Sequence, residues 1–352
     1  MANQEEIAKA LADKIEKLAA GREIKIMHVC GTHEYAITKS GIRSLLPNNV
    51  KVVMGPGCPV CVTPQAEIDA IVEMAERGII ICTYGDLLRV PGTKSSLYDS
   101  VGDIHIVQSI SQAVDIARQN PTKDVVFMAV GFETTAPTTA AVILNNPPAN
   151  FSVLTSHRLV PPAMEWLMEQ GEAKLSGFLL PGHVCTIAGI EEYERFKVPQ
   201  VIAGFEPLEV MYGLYKLVKQ VAEGRAEVEN AYPSVVKREG NLKARHMMDE
   251  VFDVCDIMWR GFPVIPKSGL KLKKQYEQYD ALKKYGIVLK ETKVTTGCLC
   301  NELLRGIKEP TDCKLFGKAC TPLKPVGACM VSTEGACRIW YSYGRAAKLV
   351  KQ

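Results

Sequence analysis

The sequence predicts an α/β fold in which two doubly wound, Rossmann-like units precede a C-terminal cysteine-rich iron-sulfur region. Short apolar runs alternate with amphipathic segments, the pattern of strands and helices in such a fold. The chain has 352 residues, of which 47% are hydrophobic and 23% charged, which is enough for a core and about two or three domains. Six of its twelve cysteines lie after residue 297.

The first predicted unit covers residues 1–120. It opens with an amphipathic helix that ends at Gly21, and the charged residues of this helix argue against a signal peptide. A second helix is predicted to be capped by Thr63, to begin at Pro64 and to end before Gly78. The predicted strands are at residues 24–29, 50–54 and 79–82.

The second predicted unit covers residues 121–231 and repeats the alternation of strands and helices. Its last helix is long, amphipathic and ends near Glu223. From residue 232 to 352 the sequence becomes charged, irregular and finally cysteine-rich, which indicates a third region. The predicted strands of the second unit are at residues 125–130, 151–155, 177–180 and 200–203.

Candidate catalytic residues follow the predicted strands. Ligands of parallel sheets bind beyond the carboxyl ends of the strands, so side chains in these loops are expected to share one cleft between the two units. The candidates are Cys30 and His33 after the first strand, Cys58 and Cys61 after the second, and Glu133 and His183 after strands of the second unit.

Each candidate also has a simpler interpretation. Cys58 and Cys61 have the spacing of a redox pair that can form a reversible disulfide, although half of a zinc site has the same spacing. A thiol at a helix start, as predicted for Cys30, is expected to have a lowered pKa, but cysteine is often a small buried apolar residue. Glu133 could simply be an acidic residue stabilised at a helix N-terminus.

The six C-terminal cysteines favour thiolate ligation of an iron-sulfur cluster. A disulfide scaffold is the alternative, but it is typical of small secreted domains. We therefore expect a cytoplasmic protein. A net charge of +3 gives no sign of nucleic-acid binding, and no apolar run approaches the ~20 residues that cross a bilayer. The basic, tyrosine-containing stretch at residues 267–286 is interpreted as a solvated face, although RNA or an acidic partner could bind it.

Several motifs resemble the HypD family of hydrogenase maturation factors, and together they extend from about residue 24 to residue 344. The resemblance implies two α/β domains of similar fold and a C-terminal region that holds a [4Fe-4S] cluster. The motifs are CGTHE (30–34), GPGCPVC (55–61), GFETT (131–135), PGHV (181–184) and GACMVSTEGAC (327–337).

The same resemblance implies a function. With the small chaperone HypC, the chain would form the scaffold on which the Fe(CN)2CO unit of [NiFe]-hydrogenase is assembled, and cyanide would arrive from HypE. Cys30 would hold this iron together with a HypC cysteine, with His33 beside it. Cys58 and Cys61 would be the redox-active pair.

The family spacing of cluster ligands, with gaps of 14, 6 and 16 residues, is met by four of the cysteines. Cys300 and Cys329 are left over, and spacing alone excludes neither as a ligand. Cys185, which follows PGHV, receives no role. The four cysteines implied as ligands are Cys298, Cys313, Cys320 and Cys337.

Two alternative functions remain open. An iron-sulfur disulfide reductase acting on a thioredoxin-like partner would need the cluster and the Cys58–Cys61 pair but no second iron site at Cys30 and His33. An interaction scaffold with a purely structural cluster would tolerate replacement of Cys58 and Cys61.

Overall fold

The computed structural model describes residues 3–290 and 297–344, so residues 291–296 and 345–352 of the predicted third region lie outside the described residues. The strands are β1 (Ile24–His28), β2 (Val50–Met54), β3 (Ile80–Thr83), β4 (Ile104–Ile106), β5 (Val125–Gly131), β6 (Phe151–His157), β7 (Gly177–Pro181), β8 (Gln200–Ala203), β9 (Val228–Asn230), β10 (Phe252–Met258) and β11 (Val264–Leu272).

Helices connect most of these strands. They are α1 (Gln4–Ala19), α2 (Gly31–Lys39), α3 (Pro59–Val62), α4 (Gln65–Glu76), α5 (Ile110–Gln119), α6 (Ala136–Leu144), α7 (Val160–Gln170), α8 (Gly182–Ala188), α9 (Pro207–Glu223), α10 (Leu242–Val251), α11 (Ala281–Tyr285), α12 (Cys300–Leu304), α13 (Ala328–Val331) and α14 (Ala336–Tyr343). Short 3-10 helices span Ile42–Leu45, Gly85–Leu87, Leu97–Asp99, Glu191–Tyr193, Lys274–Tyr279 and Pro310–Asp312.

Two parallel sheets confirm the predicted α/β class. The first sheet has the strand order β2-β1-β7-β8-β9, and the second has the order β4-β3-β5-β6. Every pairing between neighbouring strands in both sheets is parallel. The central strand β5 of the second sheet reads as a continuous apolar run because both of its faces are covered, and all seven of its residues are buried.

The division of strands between the sheets differs from the predicted boundary at residue 120. The first sheet takes β1 and β2 from the start of the chain and β7, β8 and β9 from residues 177–230, whereas the second sheet is built from the intervening segment. The chain therefore leaves the first unit, completes the second and returns. Local patterns locate strands, but they do not determine which strands pair.

Local sequence signals fix several helix ends. Helix α9 begins at Pro207, whose missing N–H would have no partner in a first turn, and Gly224 ends it with φ +65°. Helix α4 has Pro64 rather than Thr63 as its N-cap and ends at Glu76, one residue short of the predicted end.

The C-terminal region packs against both units. The antiparallel hairpin β10–β11 lies against β6 and α7, and α10 packs against α6. The cysteine-rich segment contacts the first unit, where α14 packs on α2 and α13 on α3. Within the described ranges, no helix combines the length and apolarity that a membrane crossing requires.

Candidate functional site

Four loops meet at the carboxyl edge of the first sheet. Neighbouring strands β2, β1, β7 and β8 run parallel, so their following loops lie side by side at one edge. These loops carry GPGCPVC, CGTHE, PGHV and the pair Gly204–Phe205. The predicted gathering of Cys30, His33, Cys58, Cys61 and His183 therefore arises within one sheet.

Cys30 is the N-cap residue of α2 and is partly exposed. The expectation of a lowered thiol pKa is wrong, because burial and the nearby Glu334 carboxylate raise the pKa of Cys30 to about 11. The backbone N–H groups of His33 and Thr32 act in the opposite direction but are outweighed. Cys30 is therefore a protonated thiol at neutral pH until a metal or another cation displaces the proton.

His33 is fully buried beside Cys30 in the same helix. Its Nε2 donates to the carbonyl oxygen of Gly204 at 2.9 Å, which leaves Nδ1 as the atom with the lone pair. Nδ1 has no hydrogen-bond partner among the described residues. Burial, followed by the charge of His28, lowers the pKa of His33 to about 3, so the ring is neutral and its lone pair is available.

An aromatic stack connects His33 with His183. The Phe205 ring lies 4.9 Å from His33 and 4.1 Å from His183, measured between ring centroids. The His183 side chain reaches the surface, and partial desolvation of its ring lowers its pKa. Phe205 was not among the predicted site residues, although its position directly after a strand is the signal that identified the others.

A disulfide joins Cys58 and Cys61, whose Cα atoms are 5.2 Å apart. Both cysteines are fully buried, and Pro59 begins the single turn of helix between them. The Cys61 N–H donates to Cys58 Sγ at 3.2 Å, so the turn is closed around the sulfur atom. The predicted pair is thus a disulfide in this structure.

The disulfide turn lies directly against the Cys30 backbone. The Gly31 N–H donates to the Gly57 carbonyl oxygen at 3.1 Å. A Cβ atom at Gly57 would lie 2.0 Å from the Cys30 nitrogen and 2.1 Å from the Val29 carbonyl carbon. Only glycine permits this approach, which explains the glycine before the CPVC sequence.

We expect Gly57→Ala to push the two loops apart. Because the new methyl group would meet main-chain atoms on both sides, we expect a loss of about 1 to 3 kcal/mol or more in the free energy of unfolding. The measurement is denaturant unfolding of both proteins. Gly85→Ala is the matched control, because its Cβ would be 3.5 Å from Ile106 Cγ2, an ordinary contact. Equal stability of the two variants would contradict the close approach.

Glu133 is on the loop after β5 of the second sheet, and the buried Cys185 thiol interacts electrostatically with both Glu133 and Cys30. Glu133 is itself buried, and its Oε1 accepts a hydrogen bond from the Val160 N–H at 2.8 Å, while Oε2 has no partner among the described residues. Burial raises the pKa of Glu133 to about 7. Glu133 lines a separate cavity of about 550 Å³ that none of the other predicted catalytic residues lines.

The six C-terminal cysteines share one pocket. Cys337 interacts electrostatically with Cys300, Cys298, Cys320 and Cys313, and the thiol of Cys329 lies beside that of Cys300. Burial, followed by these neighbouring thiols, raises the pKa of Cys337 well above its usual value. Cys300 and Cys329, which spacing left over, therefore interact with the same group of thiols.

The donor set fits an iron-sulfur cluster in chemistry and number, since six thiols lie together and the Val326 N–H donates to Cys320 Sγ at 3.3 Å. In residues 3–290 and 297–344, however, no three His, Cys, Asp or Glu side chains are arranged so that they could hold a metal ion.

Arg260 links the cysteine pocket with the disulfide turn. The backbone N–H of Arg260 donates to the Val62 carbonyl oxygen at 2.7 Å, and its side-chain Nε donates to the Thr63 carbonyl oxygen at 2.6 Å. Its guanidinium also interacts electrostatically with Cys300, Cys329 and Cys298. Sequence reasoning missed Arg260, because an arginine between Trp259 and a glycine carries no local sign of a partner almost 200 residues earlier.

Comparison with known proteins matches almost the whole chain. A family model described as "Hydrogenase formation hypA family", HypD, matches residues 6–344. The chain is 48% identical to a putative hydrogenase expression/formation protein of Methanocaldococcus jannaschii, over 97% of this chain and 99% of that protein. It is 45% identical to hydrogenase maturation factor HypD2 of Bradyrhizobium diazoefficiens and 43% identical to HypD of Cupriavidus necator, each over 97% of this chain and 95% of the relative. The chain therefore belongs to the HypD family of hydrogenase maturation factors.

Proposed function

We propose that this maturation factor is the cytoplasmic scaffold on which the Fe(CN)2CO unit of [NiFe]-hydrogenase is assembled. It would act with a HypC-like chaperone and accept cyanide from a HypE-like donor. The observation that carries the proposal is the direct contact between the Cys30 loop and the disulfide turn, through the Gly31 N–H and the Gly57 carbonyl oxygen. This main-chain contact supports the proposal, because it joins the loop of the proposed iron ligand to the turn that holds the proposed redox pair.

Cys30 is the proposed protein ligand of the iron cargo. Iron that carries cyanide and carbon monoxide needs electron-rich donors, and a thiolate supplies them. Since the pKa of the Cys30 thiol is about 11, loading iron releases a proton from Cys30. Partial exposure of Cys30 leaves room for a cysteine of the chaperone to bind the same iron, and His33 Nδ1 offers a lone pair in the same helix.

The Cys58–Cys61 pair is the proposed redox group. Reduction of the disulfide consumes two electrons and two protons and yields two thiols, and reoxidation returns them. Cys298, Cys313, Cys320 and Cys337 would hold a [4Fe-4S] cluster, which supplies electrons one at a time when bound. The packing of α13 on α3 supports this role, because it places the cysteine-rich segment against the disulfide turn.

We predict that Cys58 and Cys61 gain thiol reactivity together. After anaerobic reduction and unfolding in a thiol-labelling reagent, mass spectrometry should find both cysteines labelled, whereas without reduction both should remain unlabelled. Cys82 and Cys255 serve as internal controls, because neither is in a disulfide and both should be labelled in either case. If Cys58 and Cys61 behave as thiols in the unreduced protein as well, or resist every reductant, the redox proposal fails.

An iron-sulfur disulfide reductase is the second candidate, favoured by the packing of the disulfide turn against the cysteine-rich segment. Both sulfurs of the pair are buried, however, so a partner protein could not reach them without movement of the surrounding loops. A reductase would also retain its activity on a thioredoxin-like substrate after Cys30→Ala, since that reaction needs no iron at Cys30.

Infrared spectroscopy of the complex co-purified with its partner proteins tests the scaffold proposal. We expect stretching bands of iron-bound cyanide and carbon monoxide in the wild-type complex. A complex that supports hydrogenase maturation in cells but carries neither band at any stage would contradict it.

A further inference from the structure

Glu34 is a fully buried carboxylate one helical turn beyond Cys30. Arg43 donates to both of its oxygens, at 2.9 and 2.7 Å, and His28 Nε2 donates to Oε2 at 2.7 Å. Thr38 Oγ1 and Trp340 Nε1 donate to Oε1 at 2.6 and 2.8 Å. Burial alone would raise the pKa of Glu34, but Arg43 and His28 hold it below its usual range.

The network reaches Cys30 through His28. The second ring nitrogen of His28, Nδ1, donates to the Cys30 carbonyl oxygen at 3.0 Å. Both ring nitrogens of His28 therefore face oxygen atoms. The main chain of Cys30 is thus connected to the Glu34 carboxylate by a single side chain.

The other end of the network belongs to the cysteine-rich segment. Trp340 lies on α14, one helical turn after Cys337, and the Arg43 guanidinium lies over its ring at 5.3 Å from the centroid. The hydrogen bond from Trp340 Nε1 to Glu34 Oε1 joins two residues that are 306 positions apart in the chain. A direct path of contacts therefore runs from α14 through Glu34 and His28 to Cys30.

The turn before α14 makes a second contact with the same loop. A Cβ atom at Gly31 would lie 2.3 Å from Glu334 Cβ, so the two segments are closely packed. The Asp86 carboxylate accepts from the Ser332 hydroxyl at 3.0 Å and from the Thr333 N–H at 2.9 Å, which fixes this turn from the other side. The end of the cysteine-rich segment therefore covers the start of α2.

We infer that Glu34 and Trp340 are positioning residues for Cys30, which they reach through His28, and that they tie the Cys30 loop to the helix carrying Cys337. The inference rests on the proposed function for what Cys30 binds, but the positioning itself concerns the free thiol. Besides carrying the six cysteines, the cysteine-rich segment would then also hold the Cys30 loop of the first sheet in position.

Trp340→Phe is the test, because it keeps an aromatic ring and removes the indole N–H together with the five-membered ring that carries it. The readout is the alkylation rate of Cys30 by iodoacetamide, followed by mass spectrometry on full-length protein produced without its partners. Loss of a hydrogen bond to a charged group is expected to loosen the loop and raise this rate about tenfold. Thr38→Val removes another donor to the same carboxylate oxygen and is expected to raise the rate in the same direction if Trp340→Phe does not fold.

Trp259→Phe is the matched control. It removes another buried indole hydrogen bond, from Trp259 Nε1 to the neutral hydroxyl of Ser268 at 2.8 Å, on the hairpin side of the molecule. We expect it to lower the melting temperature by less than Trp340→Phe and to leave the alkylation rate of Cys30 within about twofold of wild type. A rate in Trp340→Phe equal to that of wild type, or equal to that of Trp259→Phe, would overturn the inference. Neither result depends on iron, so failure here is distinct from failure of the scaffold proposal.

Discussion

Replacing Cys30 by alanine is expected to abolish hydrogenase maturation in cells and to remove the infrared bands of iron-bound cyanide and carbon monoxide from the complex with the HypC-like partner. The alanine side chain has no atom that can ligate iron, and the neighbouring His33 offers only the lone pair of Nδ1. The brown colour of the proposed cluster should persist, because the six C-terminal cysteines are unchanged. Infrared spectra and an in-cell maturation assay measure the two effects.

Cys255→Ala is the control for this variant. Cys255 is partly exposed on the β10–β11 hairpin, outside the carboxyl edge of the first sheet, so its loss should leave the bands and maturation unchanged. His33→Ala should weaken or shift the bands. Retention of both bands and maturation in Cys30→Ala would show that the iron is held elsewhere.

Replacing Cys320 by alanine is expected to bleach the protein. Anaerobically purified wild type should contain about four iron and four sulfide per chain, and the variant close to none. Cys320 is buried, interacts with Cys298 and Cys313, and accepts a bond from the Val326 N–H. Because cluster binding and folding are coupled, the C-terminal region should also become susceptible to proteolysis.

Cys300→Ala and Cys329→Ala are the matched controls, because their thiols belong to the same pocket but lie outside the proposed ligand set. They should keep the iron content and colour of wild type. Bleaching by Cys300→Ala or Cys329→Ala, with colour retained in Cys320→Ala, would reassign the ligands. Zinc in place of iron after strictly anaerobic purification would contradict the cluster itself.

Local sequence patterns predicted the secondary structure of the site well. Strands Val50–Met54 and Gln200–Ala203 are found at the predicted bounds, because apolar runs between turn residues are local signals. The rule that functional residues follow parallel strands also placed Cys30, His33, Cys58, Cys61 and His183 at one sheet edge.

Properties that depend on distant partners could not be predicted. The raised pKa of Cys30 comes from burial and from Glu334, which lies 304 positions further along the chain. Glu133 follows a strand of the second sheet, as predicted, whereas His183 was predicted in the second unit and follows β7, which pairs with β1 in the first sheet. The contribution of Trp340 to the Cys30 loop likewise depends on the return of the chain to α2.

The interrupted first sheet has a consequence for the order of events during synthesis. The strands of the second sheet all lie within residues 80–157, so they leave the ribosome before β7, β8 and β9, although its apolar cluster is completed only by Val251, Phe252, Leu270 and Leu272. The first sheet lacks β7, β8 and β9 until residue 230 has emerged, and Trp340 reaches Glu34 later still. A nascent or truncated chain therefore displays the CGTHE motif before the carboxyl edge of the first sheet is complete.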